Sequence, residues 1–182
     1  MKVLHSENEI KLNVQRLGKE ITEFYKGKVT SESPLVCLCI LKGSFIFFSD
    51  LIREINHPVT CEFFGVSSYG NETTSSGEVR VTLDLNSPIR DQHVLIVEDI
   101  IDTGLTMKFM QETLNARQPA SLATCALLYK PDALKTDTSV DFIGFEIGNE
   151  FVVGYGVDYA QNFRNLPYLG ILEEVDKGEL SE

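Results

Sequence analysis

Residues 94–106 read VLIVEDIIDTGLT, an order of residue types that could grip a sugar phosphate. Glu98 and Asp99 are adjacent carboxylates at the predicted exit of an apolar strand, where desolvation is costly unless a partner meets them. After two aliphatic residues, Asp102-Thr103-Gly104-Leu105-Thr106 suits a tight turn into a helix. The first N–H groups of a helix lack intrahelical partners and bind phosphate readily. The threonine hydroxyls add donors. Acids on one side would reach a ribose diol, while the nest of N–H groups holds the phosphate. The bland alternative is a solvated acid pair before an N-capped helix. The full order of strand, acid pair, two aliphatics, Asp-Thr-Gly and Thr is more specific than that. It is not a Walker loop, because GxxxxGK followed by Ser or Thr is absent.

Other positions are chemically suggestive. Lys42-Gly43-Ser44 breaks an apolar run at 35–41, and Lys130-Pro131 ends another at 121–129. Taken alone, each lysine could simply finish a strand. Residues 68–78, SYGNETTSSGE, have the composition of a surface loop. Cys37, Cys39, Cys61 and Cys125 lie in strand-like segments without a CxxC pair, which predicts core thiols rather than a redox or metal site. His5, His57 and His93 are scattered beside charged or turn-like residues, the pattern of surface or strand-edge histidines.

These loops need rigid elements to hold them. Ile10, Val14, Leu17, Ile21 and Phe24 recur at spacings of three and four, predicting a helix over 6–25. Continuous apolar runs at 35–41, 94–97 and 121–129 are patterns of strands covered on both faces. Further strands are expected at 59–67, 79–85, 142–146 and 152–157, and helices at 45–55 and 106–116. Alternation of strand and helix predicts an α/β domain with a mostly parallel, doubly wound sheet. Ligands bind such sheets beyond the carboxyl ends of the strands. Lys42, residues 98–106 and Lys130 all fall there.

Composition sets the outer bounds. A length of 182 residues suits a single domain, 1–182, with a core large enough to stand without disulfides. No stretch approaches eighteen apolar residues, so no transmembrane helix is expected. The N-terminus is polar and amphipathic, which makes a cytoplasmic protein the default expectation. A formal charge of −11 without a basic cluster argues against a nucleic-acid partner. A polyanionic substrate would have to be met by local basic groups, N–H donors and a divalent metal.

The motifs together resemble those of type I phosphoribosyltransferases, and the hypoxanthine-guanine phosphoribosyltransferases in particular. Leu41-Lys42-Gly43-Ser44, Ser68-Tyr69 and residues 94–106, 127–131 and 151–164 stand in that family's order, over nearly the whole chain. The resemblance implies the type I phosphoribosyltransferase fold with a small hood subdomain, formed from the N-terminal segment and about 150–182. It also implies a reaction: hypoxanthine or guanine takes the 5-phosphoribosyl group of 5-phosphoribosyl 1-diphosphate, giving IMP or GMP and diphosphate, with Mg²⁺ as cofactor.

Residue roles follow from the same resemblance. Glu98 and Asp99 would bind the ribose hydroxyls, directly or through Mg²⁺ and its water. Asp102 would face N7 of the purine as general base or proton relay. Asp102, Thr103, Gly104, Leu105 and Thr106 would cradle the 5-phosphate. Lys42, Gly43 and Arg164 would bind the diphosphate, in a loop that in the family often contains a non-proline cis peptide just before the lysine. Lys130 would donate to the purine 6-oxo group, Phe151 would stack on the base and Val152 would offer backbone groups to its edge. Asp158 would line the purine site and meet a second Mg²⁺, while Ser68 and Tyr69 would belong to a lid.

Homodimers or homotetramers are usual in the family. Ser44 stands where some relatives have glycine, and residues 132–135 replace a more basic continuation, a change placed to affect subunit contacts or diphosphate affinity. The rivals are a xanthine-preferring phosphoribosyltransferase, a nucleic-acid-binding regulator on the same fold and a bare nucleotide-binding module.

Overall fold

Strand β1 (Lys2–His5) opens the chain and helix α1 (Glu7–Tyr25) follows it. Ser6 starts the helix with a capping box: its hydroxyl accepts from the Glu9 N–H at 3.3 Å, and the Glu9 carboxylate accepts from the Ser6 N–H at 2.8 Å. Ile10, Val14, Leu17, Ile21 and Tyr25 form the buried stripe. Phe24 departs from the expected stripe: it is exposed, with the Lys28 ammonium 3.8 Å from its ring centroid.

The computed structural model describes residues 1–68 and 79–172. Beyond α1 come β2 (Leu35–Leu41), α2 (Phe45–Glu54), β3 (Val59–Ser68), β4 (Val79–Leu83) and β5 (His93–Ile101). Then follow α3 (Leu105–Asn115), β6 (Ser121–Tyr129), a 3-10 turn at Pro131–Ala133, β7 (Phe142–Glu146), β8 (Val152–Val153) and β9 (Leu169–Ile171). Of the expected lid pair, Tyr69 lies outside the described residues, and Ser68 ends β3 with its backbone paired to Val79.

The large sheet runs β4-β3-β2-β5-β6-β7; all of its strands are parallel except β4, which pairs antiparallel with β3 at the edge. Alternate residues of the central strands feed two cores. Leu35, Cys37, Cys39, Leu95 and Val97 pack toward α1 and α2. Val36, Leu38, Ile40, Val94 and Ile96 pack with Met107, Met110 and Leu114 of α3. This is the expected α/β doubly wound architecture. Strand order reverses between β2 and β5, and such a switch point opens a crevice at the carboxyl ends. A second sheet, β1-β9-β8, is antiparallel and small. No described helix is long and apolar enough to cross a membrane.

The structure corrects several element boundaries. Strand β5 extends four residues past the expected 94–97, because β6 keeps pairing with it as far as Ile101↔Tyr129. The acid pair therefore lies inside the strand, not at its exit. The expected strand 152–157 stops at Val153, since Gly154, Tyr155 and Gly156 all take positive φ. Strands β1 and β9 are too short to leave a period in the sequence. Cys37, Cys39 and Cys125 are core thiols, each with its pKa raised by burial, whereas Cys61 is exposed on β3.

Candidate active site

Pairing on the two edges of β5 is unequal. Strand β2 stays in register only as far as Cys39↔Val97, while β6 continues to Ile101. From Glu98 onward the β2 side of the strand is open, and the loop after β2 stands beside the gap. That loop begins with a cis peptide between Leu41 and Lys42, and the Lys42 side chain is exposed. Gly43 lies against Asp99, and a Cβ there would displace the Asp99 carboxylate. Ser44 fits without strain of the loop: its buried hydroxyl donates to the Ile40 carbonyl and lies 3.3 Å from the Cys39 sulfur.

Glu98 is buried and Asp99 partly so. The pair caps its own backbone: Glu98 Oε1 accepts from the Asp99 N–H at 3.1 Å, and Asp99 Oδ1 from the Ile100 N–H at 2.8 Å. Burial pushes the Glu98 carboxyl well above the usual range, and the Asp99 charge adds to that. Burial raises Asp99 as well, opposed by hydrogen bonds from its neighbours and by the positive charge of Arg164. Two acids held against their preference in this way fit a divalent cation. No cluster of three or more ligating side chains exists among the described residues. Mg²⁺ is commonly held by one or two carboxylates and completes its shell with substrate oxygens and water, and Glu98 and Asp99 offer two such groups.

The anion nest follows directly. Gly104 takes a left-handed conformation, φ 78°, as the N-cap of α3. The N–H groups of Thr103, Gly104, Leu105 and Thr106 have no acceptor among the described residues. Thr103, Gly104 and Thr106 border a cavity of about 100 Å³ that Glu98 and Asp102 also line. A larger cavity of about 400 Å³ lies between α1, α2 and residues 165–167 and includes none of the predicted site residues. The smaller one brings these N–H donors together with the buried Glu98 and the exposed Asp102.

Lys130 ends β6 beside this nest. Its N–H donates to the Ile101 carbonyl at 2.9 Å, and its ammonium lies 3.6 Å from the Asp102 carboxylate. The residue is only 7% exposed, so it is not a lysine that merely finishes a strand.

The segment after β8 closes the other side. Gly156, at φ 102°, approaches so closely that a Cβ would collide with the Gly43 carbonyl. Arg164 donates to the Gly156 carbonyl at 2.8 Å and pairs with Asp158 at 2.7 Å. Arg164 and Asp158 are therefore partners, held next to the Gly43 loop. Phe151 is 43% exposed and meets the edge of Tyr159, with ring centroids 5.5 Å apart, so it is not core packing. Val152 is buried in the small sheet opposite Ile171.

The fold thus gathers Lys42, Gly43, residues 98–106, Lys130, Asp158 and Arg164 around one crevice. Gly156 escapes a reading by residue type, although Gly-Tyr-Gly at 154–156 is a usable signal for a tight turn. Residues 132–135 stand behind the 102–106 loop, where the Lys135 N–H donates to the Thr103 carbonyl at 2.9 Å.

Comparison with known proteins agrees with this geometry. The phosphoribosyl transferase domain matches residues 5–160. The hypoxanthine phosphoribosyltransferase of Haemophilus influenzae is 50% identical over 174 residues, covering 94% of this chain and 96% of that one. The hypoxanthine-guanine phosphoribosyltransferase of Dictyostelium discoideum is 49% identical over 175 residues, covering 94% and 95%. Among solved structures, a mutant hypoxanthine phosphoribosyltransferase from Trypanosoma cruzi in a ternary substrates complex superposes with a TM-score of 0.91 at 41% identity, covering 97% of each chain. The chain belongs to the phosphoribosyltransferase family, among its hypoxanthine and hypoxanthine-guanine phosphoribosyltransferases.

Proposed function

We propose that the protein salvages purines, transferring the 5-phosphoribosyl group of 5-phosphoribosyl 1-diphosphate to hypoxanthine or guanine. The observation that carries this reading is the convergence of a buried lysine, a half-open aspartate and a nest of N–H groups at the ends of β5 and β6. A nest of N–H groups suits a phosphate monoester. A buried ammonium beside it suits an acceptor on the base, and a 6-oxo group supplies one where the amino group of adenine would present a donor.

In the reaction the purine N9 forms a bond to the anomeric carbon as the bond from that carbon to the diphosphate oxygen breaks. The centre becomes oxocarbenium-like in between. Residues Asp102 to Thr106 hold the 5-phosphate and fix the ribose. Asp102 accepts the proton that the base loses at N7, help worth about 10²–10⁴-fold. Lys130 donates to the 6-oxo oxygen, Phe151 stacks on the ring and Val152 offers its backbone to the ring edge. Stacking adds roughly 0.5–1.5 kcal/mol beyond burial.

Lys42, Gly43 and Arg164 receive the diphosphate. Glu98 and Asp99 would hold Mg²⁺ or its water near the ribose diol, and Asp158 a second ion. The metal, when bound, supplies positive charge to the departing diphosphate. Ser68 and Tyr69 belong to a lid that keeps water from the reacting carbon. The small sheet β1-β9-β8 serves as the hood of a single domain spanning 1–182. The enzyme works in the cytoplasm as a homodimer or homotetramer, without nucleic-acid or membrane partners.

The test is product identification. Incubation with 5-phosphoribosyl 1-diphosphate, Mg²⁺ and hypoxanthine is expected to yield IMP and diphosphate in equal amounts by mass spectrometry. Hydrolysis of the donor without IMP would reject the transfer.

A further inference from the structure

The nest of N–H groups is held from behind by a strap. After the turn at Pro131–Ala133, residues 134–138 run along the back of Thr103 and Gly104. The Lys135 N–H donates to the Thr103 carbonyl at 2.9 Å, and the Thr138 hydroxyl donates to the Gly104 carbonyl at 3.3 Å. The Thr136 and Thr138 hydroxyls are hydrogen-bonded to each other at 2.7 Å. Thr138 is 8% exposed, and a Cβ on Gly104 would collide with the Thr136 hydroxyl and meet Leu134 at 3.0 Å. The strap is packed directly on the glycine.

Peptide geometry gives this contact a consequence. In a trans peptide the C=O and the following N–H point in opposite directions. Holding the Thr103 and Gly104 carbonyls backward therefore turns the N–H groups of Gly104 and Leu105 away from the strap, and Gly104 lines the cavity. Gly104 is the residue whose backbone is freest to rotate, since it lacks a Cβ and already sits at positive φ. Its carbonyl is held by two bonds, the first intrahelical one from the Lys108 N–H at 2.9 Å and that of the Thr138 hydroxyl at 3.3 Å, so Thr138 adds a restraint from outside the helix.

We propose that Thr138, supported by Thr136, is a positioning residue for the 5-phosphate: it presets the N–H groups of the loop for a phosphate monoester. This rests on the phosphoribosyl-transfer reading above. The test compares inhibition constants for IMP and for inosine, which differ only in the 5′-phosphate, in wild type, Thr138→Val and Thr138→Ser. Valine keeps the shape without the hydroxyl, and serine keeps the hydroxyl.

Thr138→Val is expected to weaken IMP about three- to tenfold, the range for losing one neutral hydrogen bond. Inosine should be unchanged, KM for the phosphoribosyl donor should rise in step with IMP, and kcat should stay within about twofold. Thr138→Ser should restore IMP. Equal weakening of IMP and inosine would overturn the proposal, as would unchanged IMP affinity with only a lowered melting temperature. Should Thr138→Val not fold, Thr136→Val must show the same selective loss of IMP, to a smaller degree, and failure to do so rejects the idea. If wild type itself binds IMP no more tightly than inosine, the phosphoribosyl reading fails and the proposal with it. If wild type discriminates and the variants discriminate equally, only the strap's role is rejected.

Discussion

The Lys130 ammonium lies 3.6 Å from the Asp102 carboxylate, across the ends of two neighbouring parallel strands. The two side chains differ in access: that of Lys130 is 9% exposed and that of Asp102 51%. A buried cation thus has a half-open acid as its ion-pair partner. In the proposed reaction both turn to the same edge of the purine, where the 6-oxo oxygen and N7 are neighbouring positions. Their spacing suits that division of work, one group donating a hydrogen bond and the other taking a proton.

Replacing Asp102 by Asn removes the proton acceptor while keeping size and polarity. We expect kcat to fall by about 10²–10⁴-fold, with circular dichroism and melting temperature close to wild type. Steady-state turnover with hypoxanthine checks this. Near-normal kcat would remove Asp102 from the chemistry.

Lys130→Met keeps much of the lysine stem and removes the charge. The expected result is a loss of about 10–10³-fold in kcat/KM for hypoxanthine, because a buried substrate oxygen would be left without its donor. KM for the phosphoribosyl donor should move much less. Equal losses for both substrates would place Lys130 in the structure of the loop instead of at the base.

Much of this site is legible in the sequence because its parts are consecutive. Residues 98–106 combine two acids, an aspartate and a helix start within nine positions, and the buried strand before them shows as an apolar run. The strand's true length is not legible, since Glu98 and Asp99 look like a terminus until β6 is seen to pair beyond them. Gly156 against Gly43 and Thr138 behind Gly104 join residues far apart in the chain, and spacing cannot show which of them meet. Short strands such as β1, β8 and β9 carry too few residues for a period and are fixed by their partners.

Gly156→Ala tests whether the segment after β8 must seat on the Gly43 loop. Alanine at φ 102° is strained and its methyl would meet the Gly43 carbonyl. Backbone strain of this kind costs roughly 1–3 kcal/mol. Thermal unfolding should shift downward, and KM for the phosphoribosyl donor should rise more than KM for hypoxanthine. An unchanged KM for the donor would show that this seat does not shape the diphosphate site.

His5 gives a pH dependence of stability. Its ring stacks on Phe145 with centroids 3.8 Å apart, and Nε2 is buried with no hydrogen-bond partner among the described residues. Burial lowers its pKa below 6.5, with Glu9 opposing. In the window below about 6.5 the unfolded chain therefore binds more protons than the folded one, so the contribution of His5 is complete above that pH and lost as pH falls. His5→Phe should keep the stack and flatten the fall of melting temperature below pH 6.5 while changing little at pH 8. A parallel shift at both pH values would mean that His5 does not titrate in that window.

The most direct measurement of the central claim is kcat/KM for hypoxanthine, guanine, xanthine and adenine, side by side, with 5-phosphoribosyl 1-diphosphate and Mg²⁺. Efficient transfer to hypoxanthine or guanine, or both, is expected, with transfer to adenine lower by orders of magnitude. Efficient use of adenine, or preference for xanthine over both hypoxanthine and guanine, would contradict the reading.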